Sequence, residues 1–421
     1  QYIWQFQYFN ASDLRTVQGD KLRVIFPGRS NRNQGPDFAD ARIEIGNTLM
    51  AGSVELHTRT SQWSVHGHDG DGNYANVILH VVYEQDKALP GSLPLLELRS
   101  RVSRILLERY RRLMENPVFI PCSGSLVDVK DLVALAWKER LVAERLARRS
   151  AAAEAVLQQT KAHWEQTFWQ LLARNFGIRV NMDAFEAVAR SIPFSLLSRH
   201  RGQVHQLEAL LLGQAGLLEK NFSESYPLLL QREYAFLKRK YGLHPIPLPL
   251  HFLRMRPGNF PTVRLAQLAA VLQQSDRLFA RVLEAESAGE LRSLLMVTAN
   301  DYWHYHYRLD EPSVFRKKAV GKEMADNIII NTAIPLLFAY GSRKQDEKLC
   351  QKALDWLHRL PAETNATVRG FAGLGLSSVS AFDSQAFLEL KTRYCDHKRC
   401  LSCMIGNHLL KRDYSTDRLL L

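Results

Sequence analysis

The alternation of apolar and polar positions in the first hundred residues predicts a small β-sheet. Residues 20–26 predict a first strand, and residues 41–45 and 49–57 predict a hairpin around turn residues 46–47. Residues 77–83 form a nearly continuous apolar run, which is typical of a strand buried on both faces. The pattern therefore predicts an α/β domain at the start of the chain.

The second strand of the hairpin separates a core face from a polar face. Side chains alternate with a period of two, so Val54 and Leu56 share one face while Glu55 and His57 share the other. Glu55 and His57 can therefore point together into a cleft. His80 lies inside the apolar run of residues 77–83 and needs a polar partner there.

From Leu95 onward the periodicity predicts helices, and strand signals are scarce. The main helical stretches are residues 127–159, 164–176, 183–189, 203–212 and 226–240. The Pro- and Ser-containing stretch at 116–125 marks the best boundary. We expect an α+β protein with three parts: a nuclease-like α/β domain at 1–116, an all-α domain at 123–390 and a Cys-rich tail at 391–421.

The sequence GPDF at residues 35–38, the hairpin and VELH at residues 54–57 resemble the PD-(D/E)-x-K signature of the restriction-endonuclease-like nuclease superfamily. The resemblance implies that Asp37 and Glu55 hold Mg²⁺ or Mn²⁺, which activates water against a phosphodiester. His57 stands where the superfamily carries Lys. A neutral imidazole cannot replace a fixed positive charge, although it can bind a metal or act as a base.

The whole chain is also similar to a family of uncharacterised bacterial proteins common in Bacteroidetes, known as a domain of unknown function. The segments that carry this similarity are QGPDF, GSVELH, VILHVV and CDHKRCLSC. This second resemblance implies common ancestry over the whole chain, and it implies no activity.

Histidines are concentrated around the predicted sheet. His57, His66, His68 and His80 fall within one stretch of 24 residues, out of 14 histidines in the chain. Imidazole suits zinc or manganese, so His66, His68 and His80 are further candidate metal ligands. The Asp and Gly residues at 69–73 are equally explained as turn chemistry.

The C-terminal cysteines predict a second metal site. Cys395, Cys400 and Cys403 have the spacing C-x4-C-x2-C, and the odd total of five cysteines argues against a disulfide framework. The candidates for a fourth ligand are Cys122, Cys350, His397 and His408. We expect Zn²⁺ or an iron–sulfur cluster that ties the tail to the body of the protein.

The net charge of +12 is unevenly distributed. Residues 1–100 carry 9 Lys and Arg against 11 Asp and Glu, which leaves 46 against 32 for residues 101–421. A basic surface suits nucleic acid, because phosphate contacts supply sequence-independent affinity. The candidate phosphate contacts are Arg29, Arg32, Arg254, Arg256 and Arg264.

Together these features favour a metal-dependent phosphodiesterase (nuclease) acting on nucleic acid. The alternatives are a catalytically inactive nuclease fold that binds nucleic acid or ribonucleoprotein, and a histidine-rich metal hydrolase of a small substrate. Nothing in the sequence favours DNA over RNA or indicates an oligomeric state. No apolar run approaches the roughly 20 residues of a membrane span, and no signal peptide is recognisable. We therefore expect a cytoplasmic protein without membrane partners, whose first few residues precede Gln1.

Overall fold

The computed structural model describes residues 1–31, 34–88, 93–115, 118–129, 131–253 and 255–411. The protein has mixed α+β content and is 56% helical, with a mixed sheet near the N-terminus and a helical region after it. The predicted α+β class is confirmed at this level. The chain forms two compact units: residues 1–133 with the described residues from Tyr394 onward, and residues 134–393.

A mixed sheet organises the first unit. Its strands are β1 Leu22–Phe26, β2 Arg29–Ser30, β3 Phe38–Ile45, β4 Thr48–Arg59, β5 Val77–Glu84 and β6 Leu95–Glu97. Their order in the sheet is β1-β3-β4-β5-β6, with β2 beside β3. Strands β1, β3 and β4 run antiparallel, whereas β4, β5 and β6 run parallel. The two parts of the sheet meet at β4, which carries Glu55 and His57.

The predicted hairpin is confirmed as β3 and β4. The turn between them contains Gly46, whose positive φ of 61° is the conformation that glycine tolerates best. Val54 is fully buried in the core of the sheet, and Leu56 packs against the same cluster. Gly52 is required for close approach to β5, because a Cβ there would lie 2.5 Å from Ile78 Cγ2.

Three short helices accompany the sheet: α1 Tyr2–Gln5, α2 Gln62–Val65 and α3 Arg104–Glu115. The prediction of helix from Leu95 was wrong, since Leu95–Glu97 form β6. Both Leu95 and Leu96 are buried beside β5, and the His80 N–H donates to the Pro94 carbonyl at 2.9 Å. Pairing with β5 therefore overrides the helical pattern in this stretch.

Helices form most of the second unit. In chain order they are α4 Asp131–Gln159, α5 Trp164–Phe176, α6 Ile178–Ser191, α7 Phe194–Arg199, α8 Val204–Gln214, α9 Ser225–Tyr241, α10 Pro261–Gln274, α11 Leu278–Glu284, α12 Ala288–Leu295, α13 Lys322–Ile328, α14 Ile334–Lys344, α15 Glu347–Arg359, α16 Ala366–Ala372 and α17 Ala381–Glu389. A two-stranded sheet of β7 His306–Arg308 and β8 Glu311–Pro312 lies among them. The helices predicted from periodicity are confirmed within a few residues at each end.

The chain returns to the first unit after Arg393. A short 3₁₀ turn at Cys400–Ser402 leads into the last helix, α18 Met404–Lys411. Asn407 of α18 accepts hydrogen bonds from Tyr2 Oη at 2.7 Å and Tyr8 Oη at 3.3 Å. Among the described helices, none is both long enough and apolar enough to cross a bilayer.

Candidate metal centre

The two predicted carboxylates lie side by side. Asp37 directly precedes β3, and its neighbour Phe38 pairs with Val54 of β4. The Asp37 backbone N–H donates to Glu55 Oε2 at 2.9 Å, while the Asp37 carboxylate accepts a hydrogen bond from the Gln1 side-chain amide. The antiparallel register of the hairpin therefore brings together two residues that are 18 positions apart in sequence.

Two histidines extend this site across the parallel part of the sheet. Glu55 of β4 pairs with His80 of β5, so the polar face that carries Glu55 and His57 also carries His80. His57 Nδ1 lies 2.9 Å from His80 Nε2, within hydrogen-bond distance. His80 is fully buried; His57 is the partner of its Nε2, whereas its Nδ1 has no hydrogen-bond partner among the described residues.

The segment between β4 and β5 adds the other two histidines. It contains α2 and the 3₁₀ turns His68–Gly70 and Gly72–Tyr74. Gly67, between His66 and His68, has a positive φ of 72°. His66 Nδ1 lies 3.1 Å from His57 Nε2, and the His57 and His68 rings are stacked at 5.4 Å between centroids. The crossover therefore places His66 and His68 over His57.

The nitrogen atoms of this cluster are spaced like ligands of one ion. Single ring nitrogens of His57, His66 and His68 all lie within 4.8 Å of one another. Glu55 Oε1 lies 3.6 Å from His57 Nε2 and 3.5 Å from His68 Nε2. Four ligands bound tetrahedrally at about 2.1 Å would be separated by about 3.4 Å. The three imidazoles are therefore spaced to hold one metal ion, and the Glu55 carboxylate lies beside two of them.

The electrostatics of the cluster also suit a cation. The pKa of Glu55 is raised to about 7: burial is the main cause, the hydrogen bond from the Asp37 backbone opposes it, and the nearby Asp37 carboxylate adds to it. Burial and the neighbouring His80, His66 and His68 lower the pKa of His57 to about 3. Burial, with His68, lowers the pKa of His80 to about 4. Neutral imidazoles are the form that binds metal.

The cluster is open to solvent on one side. Glu55, His68 and His80 are 6%, 9% and 0% exposed, whereas His66 is an exposed residue. Water or a substrate can therefore approach from the side of His66 while the other ligands are held by the sheet and the crossover. An accessible position of this kind distinguishes a reactive metal site from a closed structural one.

Two aromatic residues of the site were not predicted from the sequence. Tyr74 stacks on His68 with ring centroids 3.8 Å apart. Trp63 is buried and contacts the rings of His68 and His80 at 5.3 and 5.0 Å. Both belong to the crossover segment, and aromatic residues within a histidine-rich loop are the only sequence signal that could have indicated them.

The predicted phosphate-binding arginines differ in their surroundings, and two of them are not described. Arg29 is exposed on β2, and Arg32 and Arg254 lie outside the described residues. Arg256 is exposed at the start of the 3₁₀ turn Pro257–Asn259. Arg264 is turned inward instead: its guanidinium donates to Gln267 Oε1 at 2.8 Å and to the Asn259 side chain.

The candidate ligands of the predicted cysteine site do not all belong to one unit. Cys122, Cys395, Cys400 and Cys403 all belong to the first unit, whereas Cys350 belongs to the second. Cys350 lies on α15, where its thiol lies 3.8 Å from the Phe338 carbonyl oxygen. The two histidine candidates differ in exposure, since His397 is exposed and His408 is partly buried.

Comparison with known protein families places the chain in one of them. The chain belongs to the family described as "protein of unknown function (DUF2851)", whose model matches residues 1–366. The matched segment includes Asp37, Glu55 and the four clustered histidines, and it ends before Cys395. No curated protein matches the chain. No solved structure matches it either.

Proposed function

We propose that this protein is a metal-dependent phosphodiesterase that acts on nucleic acid, with its metal held by Glu55, His57, His66 and His68. The observation that carries the proposal is the spacing of three pairs of atoms. His57 Nε2 lies 3.1 Å from His66 Nδ1 and 3.6 Å from Glu55 Oε1, and His68 Nε2 lies 3.5 Å from Glu55 Oε1. These side chains come from one strand and the crossover that follows it, so the fold of the first unit holds them.

The ligand set favours Mn²⁺ or Zn²⁺ over Mg²⁺. Magnesium prefers oxygen ligands and keeps several waters, whereas imidazole suits transition metals. A bound metal of this kind supplies a Lewis acid and lowers the pKa of bound water. The Asp37 carboxylate, beside Glu55, would be the group that accepts a proton from an attacking water. His80 orients His57 through the contact between His80 Nε2 and His57 Nδ1.

Two features support a phosphodiester as the substrate. The arrangement of Asp37, a hairpin and Glu55 resembles that of the restriction-endonuclease-like nucleases. Residues 101–421 carry 46 Lys and Arg against 32 Asp and Glu, an excess of 14 positive charges that favours a polyanion. Exposed Arg29 on β2, which pairs with Ala39 of β3, is a candidate to meet a phosphate near Asp37.

Metal retention and cleavage should be measured on the same preparations. The metal-free protein is loaded with Mn²⁺, Zn²⁺ or Mg²⁺, passed through gel filtration, and assayed for bound metal and for cleavage of labelled single- and double-stranded DNA and RNA. His66→Ala removes an exposed ligand, so we expect the fold to be retained while metal retention and cleavage fall together. His244→Ala, an exposed histidine of the second unit, is the matched control.

The outcomes separate the candidate functions. Equal metal retention by His66→Ala and the unaltered protein would refute the assigned ligands. Binding of nucleic acid with no metal-dependent cleavage would identify an inactive nuclease fold that serves as a binding module. Metal retention without any affinity for nucleic acid would refute the phosphodiesterase proposal and direct attention to a small substrate.

A small-substrate metal hydrolase is the second candidate, because the charge around the site favours it. Residues 1–100, which contain all the proposed ligands, carry 9 Lys and Arg against 11 Asp and Glu. A polyanion therefore gains little electrostatic attraction from this part of the chain. Hydrolysis of small phosphate or carboxylate esters by the Mn²⁺- or Zn²⁺-loaded protein, lost in His66→Ala, would support this candidate.

A further inference from the structure

The small sheet of the second unit extends into a longer hairpin. Beyond β7 and β8 its two arms continue to pair, because the Ser313 N–H donates to the Tyr305 carbonyl at 2.6 Å and the Val320 N–H donates to the Val297 carbonyl at 2.8 Å. Residues 297–320 therefore form one antiparallel hairpin, the β7–β8 hairpin.

Both arms of the β7–β8 hairpin are fastened to helices of the second unit. On the first arm, Trp303 is fully buried and its Nε1 donates to Glu208 of α8 at 2.8 Å. On the second arm, the Ala319 carbonyl accepts a hydrogen bond from Gln267 Nε2 of α10 at 3.1 Å. The hairpin therefore presents its outward side chains from a backbone that is held in place.

Three apolar side chains of the β7–β8 hairpin are exposed to solvent. Tyr305 is 52% exposed, Val314 89% and Phe315 57%. The Tyr305 and Phe315 rings lie 5.3 Å apart between centroids. His304 and His306, on either side of Tyr305, are buried, so the exposure belongs to the outward side chains and not to the whole segment. The three exposed residues form the β7–β8 patch.

Positive charge lies directly beside the β7–β8 patch. Residues 304–318 carry four Lys and Arg against two Asp and Glu. Both acidic residues have partners within the fold, since Asp310 accepts hydrogen bonds from two backbone N–H groups and Glu311 lies 3.6 Å from an arginine. Arg316 and Lys317 are exposed and make no ion pair with any residue that the structure describes. Their charges are therefore available to an anionic partner.

Exposed aromatic rings beside available cations match the chemistry of a single-stranded nucleic acid. An unpaired base offers a flat face on which an aromatic ring can stack, whereas the faces of paired bases are covered by their neighbours. The strand also carries a phosphate at each nucleotide, which attracts Arg and Lys irrespective of sequence. A partner held by apolar contact alone would leave Arg316 and Lys317 unmatched.

We propose that the β7–β8 patch binds single-stranded nucleic acid, with bases stacked on Tyr305 and Phe315 and phosphates held by Arg316 and Lys317. The proposal rests on the proposed function only in taking nucleic acid as the partner, and it requires neither cleavage nor a metal. The patch belongs to the second unit, whereas the candidate metal centre belongs to the first. Stacking and phosphate contacts are common to RNA and DNA, so single strands of both fit the patch.

Binding should be measured by fluorescence anisotropy of short labelled oligomers of deoxythymidine and of uridine, in a chelator that prevents metal-dependent cleavage. Phe315→Ala and Tyr305→Ala should each weaken binding about 5- to 150-fold, the range seen when one stacked base loses its aromatic partner. Phe315→Tyr keeps the ring and should bind as the unaltered protein does. Phe236→Ala is the matched control, because Phe236 is 53% exposed on α9 of the same unit.

Stacking is separated from simple apolar contact by Phe315→Leu. Leucine keeps an apolar side chain and removes the aromatic face, so binding should fall as it does in Phe315→Ala. Unaltered affinity in Phe315→Leu, or an equal loss in Phe236→Ala, would overturn the stacking role of the patch. A duplex bound as tightly as its single strands would overturn it as well.

A measurement on the unaltered protein covers the case in which a variant fails to fold. An oligomer with abasic sites keeps its phosphates and lacks the bases, so it should bind at least about fivefold more weakly than the oligomer with bases. The same difference should be smaller in a Tyr305→Ala, Phe315→Ala double variant. Equal binding of the two oligomers by the unaltered protein would contradict the proposal.

The role of the two cations is tested by the salt dependence of binding. Each phosphate contact on a single strand contributes about 0.7 to the slope of log affinity against log salt concentration, so Arg316→Ala with Lys317→Ala should reduce the slope by about 1.4. Phe315→Ala should leave the slope unchanged, because it removes no charge. An unchanged slope in the double variant would refute the phosphate contacts.

The outcomes also separate this surface from the proposed hydrolase. Binding that depends on Tyr305 and Phe315, without any metal-dependent cleavage, would support the surface and remove the phosphodiesterase. Metal-dependent cleavage with binding that is insensitive to both residues would remove the surface alone. No binding of any oligomer by the unaltered protein would overturn the surface and the choice of nucleic acid as substrate together.

Discussion

Glu55 in the first unit and Glu208 in the second are both buried carboxyl groups, and burial raises the pKa of each to about 7. Their partners differ. Glu208 Oε2 accepts hydrogen bonds from Trp303 Nε1 at 2.8 Å and Tyr226 Oη at 3.0 Å, two neutral donors within a packed helical core. Glu55 Oε1 faces ring nitrogens of His57 and His68 instead.

The difference shows that a raised pKa alone does not identify a reactive site. Glu208 is held at Oε2 by two protein donors, and its buried Oε1 has no hydrogen-bond partner among the described residues, which suits a carboxyl group that keeps its proton. Glu55 stands among side chains whose nitrogen atoms are candidate metal ligands, and one of these, His66, is exposed. The chemistry of the neighbours, together with access from solvent, separates the candidate site from the structural carboxyl group.

The largest effect is expected from Glu55→Gln. The amide keeps the size of the side chain and removes a charged ligand. Loss of a residue that only hydrogen-bonds to a ligand lowers metal affinity about 10- to 100-fold, so loss of a ligand itself should lower it at least about 100-fold. Hydrolysis should fall with it. Isothermal titration of Mn²⁺ or Zn²⁺ measures the change, and circular dichroism confirms the fold.

Glu208→Gln is the matched control for that experiment. It neutralises a carboxyl group of similar pKa in the other unit, and metal affinity should be unchanged. Equal loss of metal affinity in both variants would mean that the effect comes from stability and not from ligation.

The next largest effect concerns the pH dependence of stability. The pKa of Glu208 rises from 4.5 to about 7 in the folded protein. Between these pH values the unfolded chain loses its proton while the folded chain keeps it, so this contribution to stability is present below pH 4.5 and lost as pH rises through 7. The change amounts to about 3 kcal/mol.

Urea unfolding at several pH values tests this expectation. The free energy of unfolding of Glu208→Gln relative to the unaltered protein should increase between pH 4.5 and pH 7.5, a range that spans the shifted pKa. A difference that is constant with pH would show that Glu208 is ionised in the folded state at neutral pH.

A smaller effect is expected from His80→Phe. His80 is fully buried and contacts His57 Nδ1, so it fixes the orientation of that ring without facing the proposed ion. Loss of such an outer partner lowers metal affinity by about 10- to 100-fold. His306→Phe is the control: His306 is also buried, but it lies in the second unit and contacts Glu224 at 3.1 Å. A larger loss in His306→Phe would contradict the assigned role.

Much of the first unit could be predicted because its signals are local. The period of two on β4 placed Glu55 and His57 on one face, and the glycine turn fixed the hairpin register that brings Asp37 to Glu55. The density of histidines between residues 57 and 80 predicted a metal site, and the fold brings three of these rings together. These features depend on residues that are close in sequence or are joined by a short turn.

The remaining features depend on contacts that sequence spacing does not encode. The pairing of Leu95–Glu97 with β5 could not be separated from a helical pattern, because both arrangements bury leucines. Arg264 lies near a helix start, as expected of an anion site, yet its guanidinium is taken up by Asn259 and Gln267. The packing of Cys122 against the cluster that contains Cys400 results from a meeting of distant segments that only the fold provides.

The smallest expected effect is that of Tyr74→Leu. Stacking on His68 at 3.8 Å restricts the His68 ring, and aromatic pairs contribute about 0.5–1.5 kcal/mol, so metal affinity should fall about two- to tenfold. Tyr74→Phe keeps the ring and should bind metal as the unaltered protein does. Tyr302→Leu provides the comparison in the second unit, where Tyr302 stacks on His306 at 3.9 Å and no metal effect is expected. A strong loss in Tyr74→Phe would instead make the phenol oxygen a ligand, and the first coordination sphere would then include Tyr74.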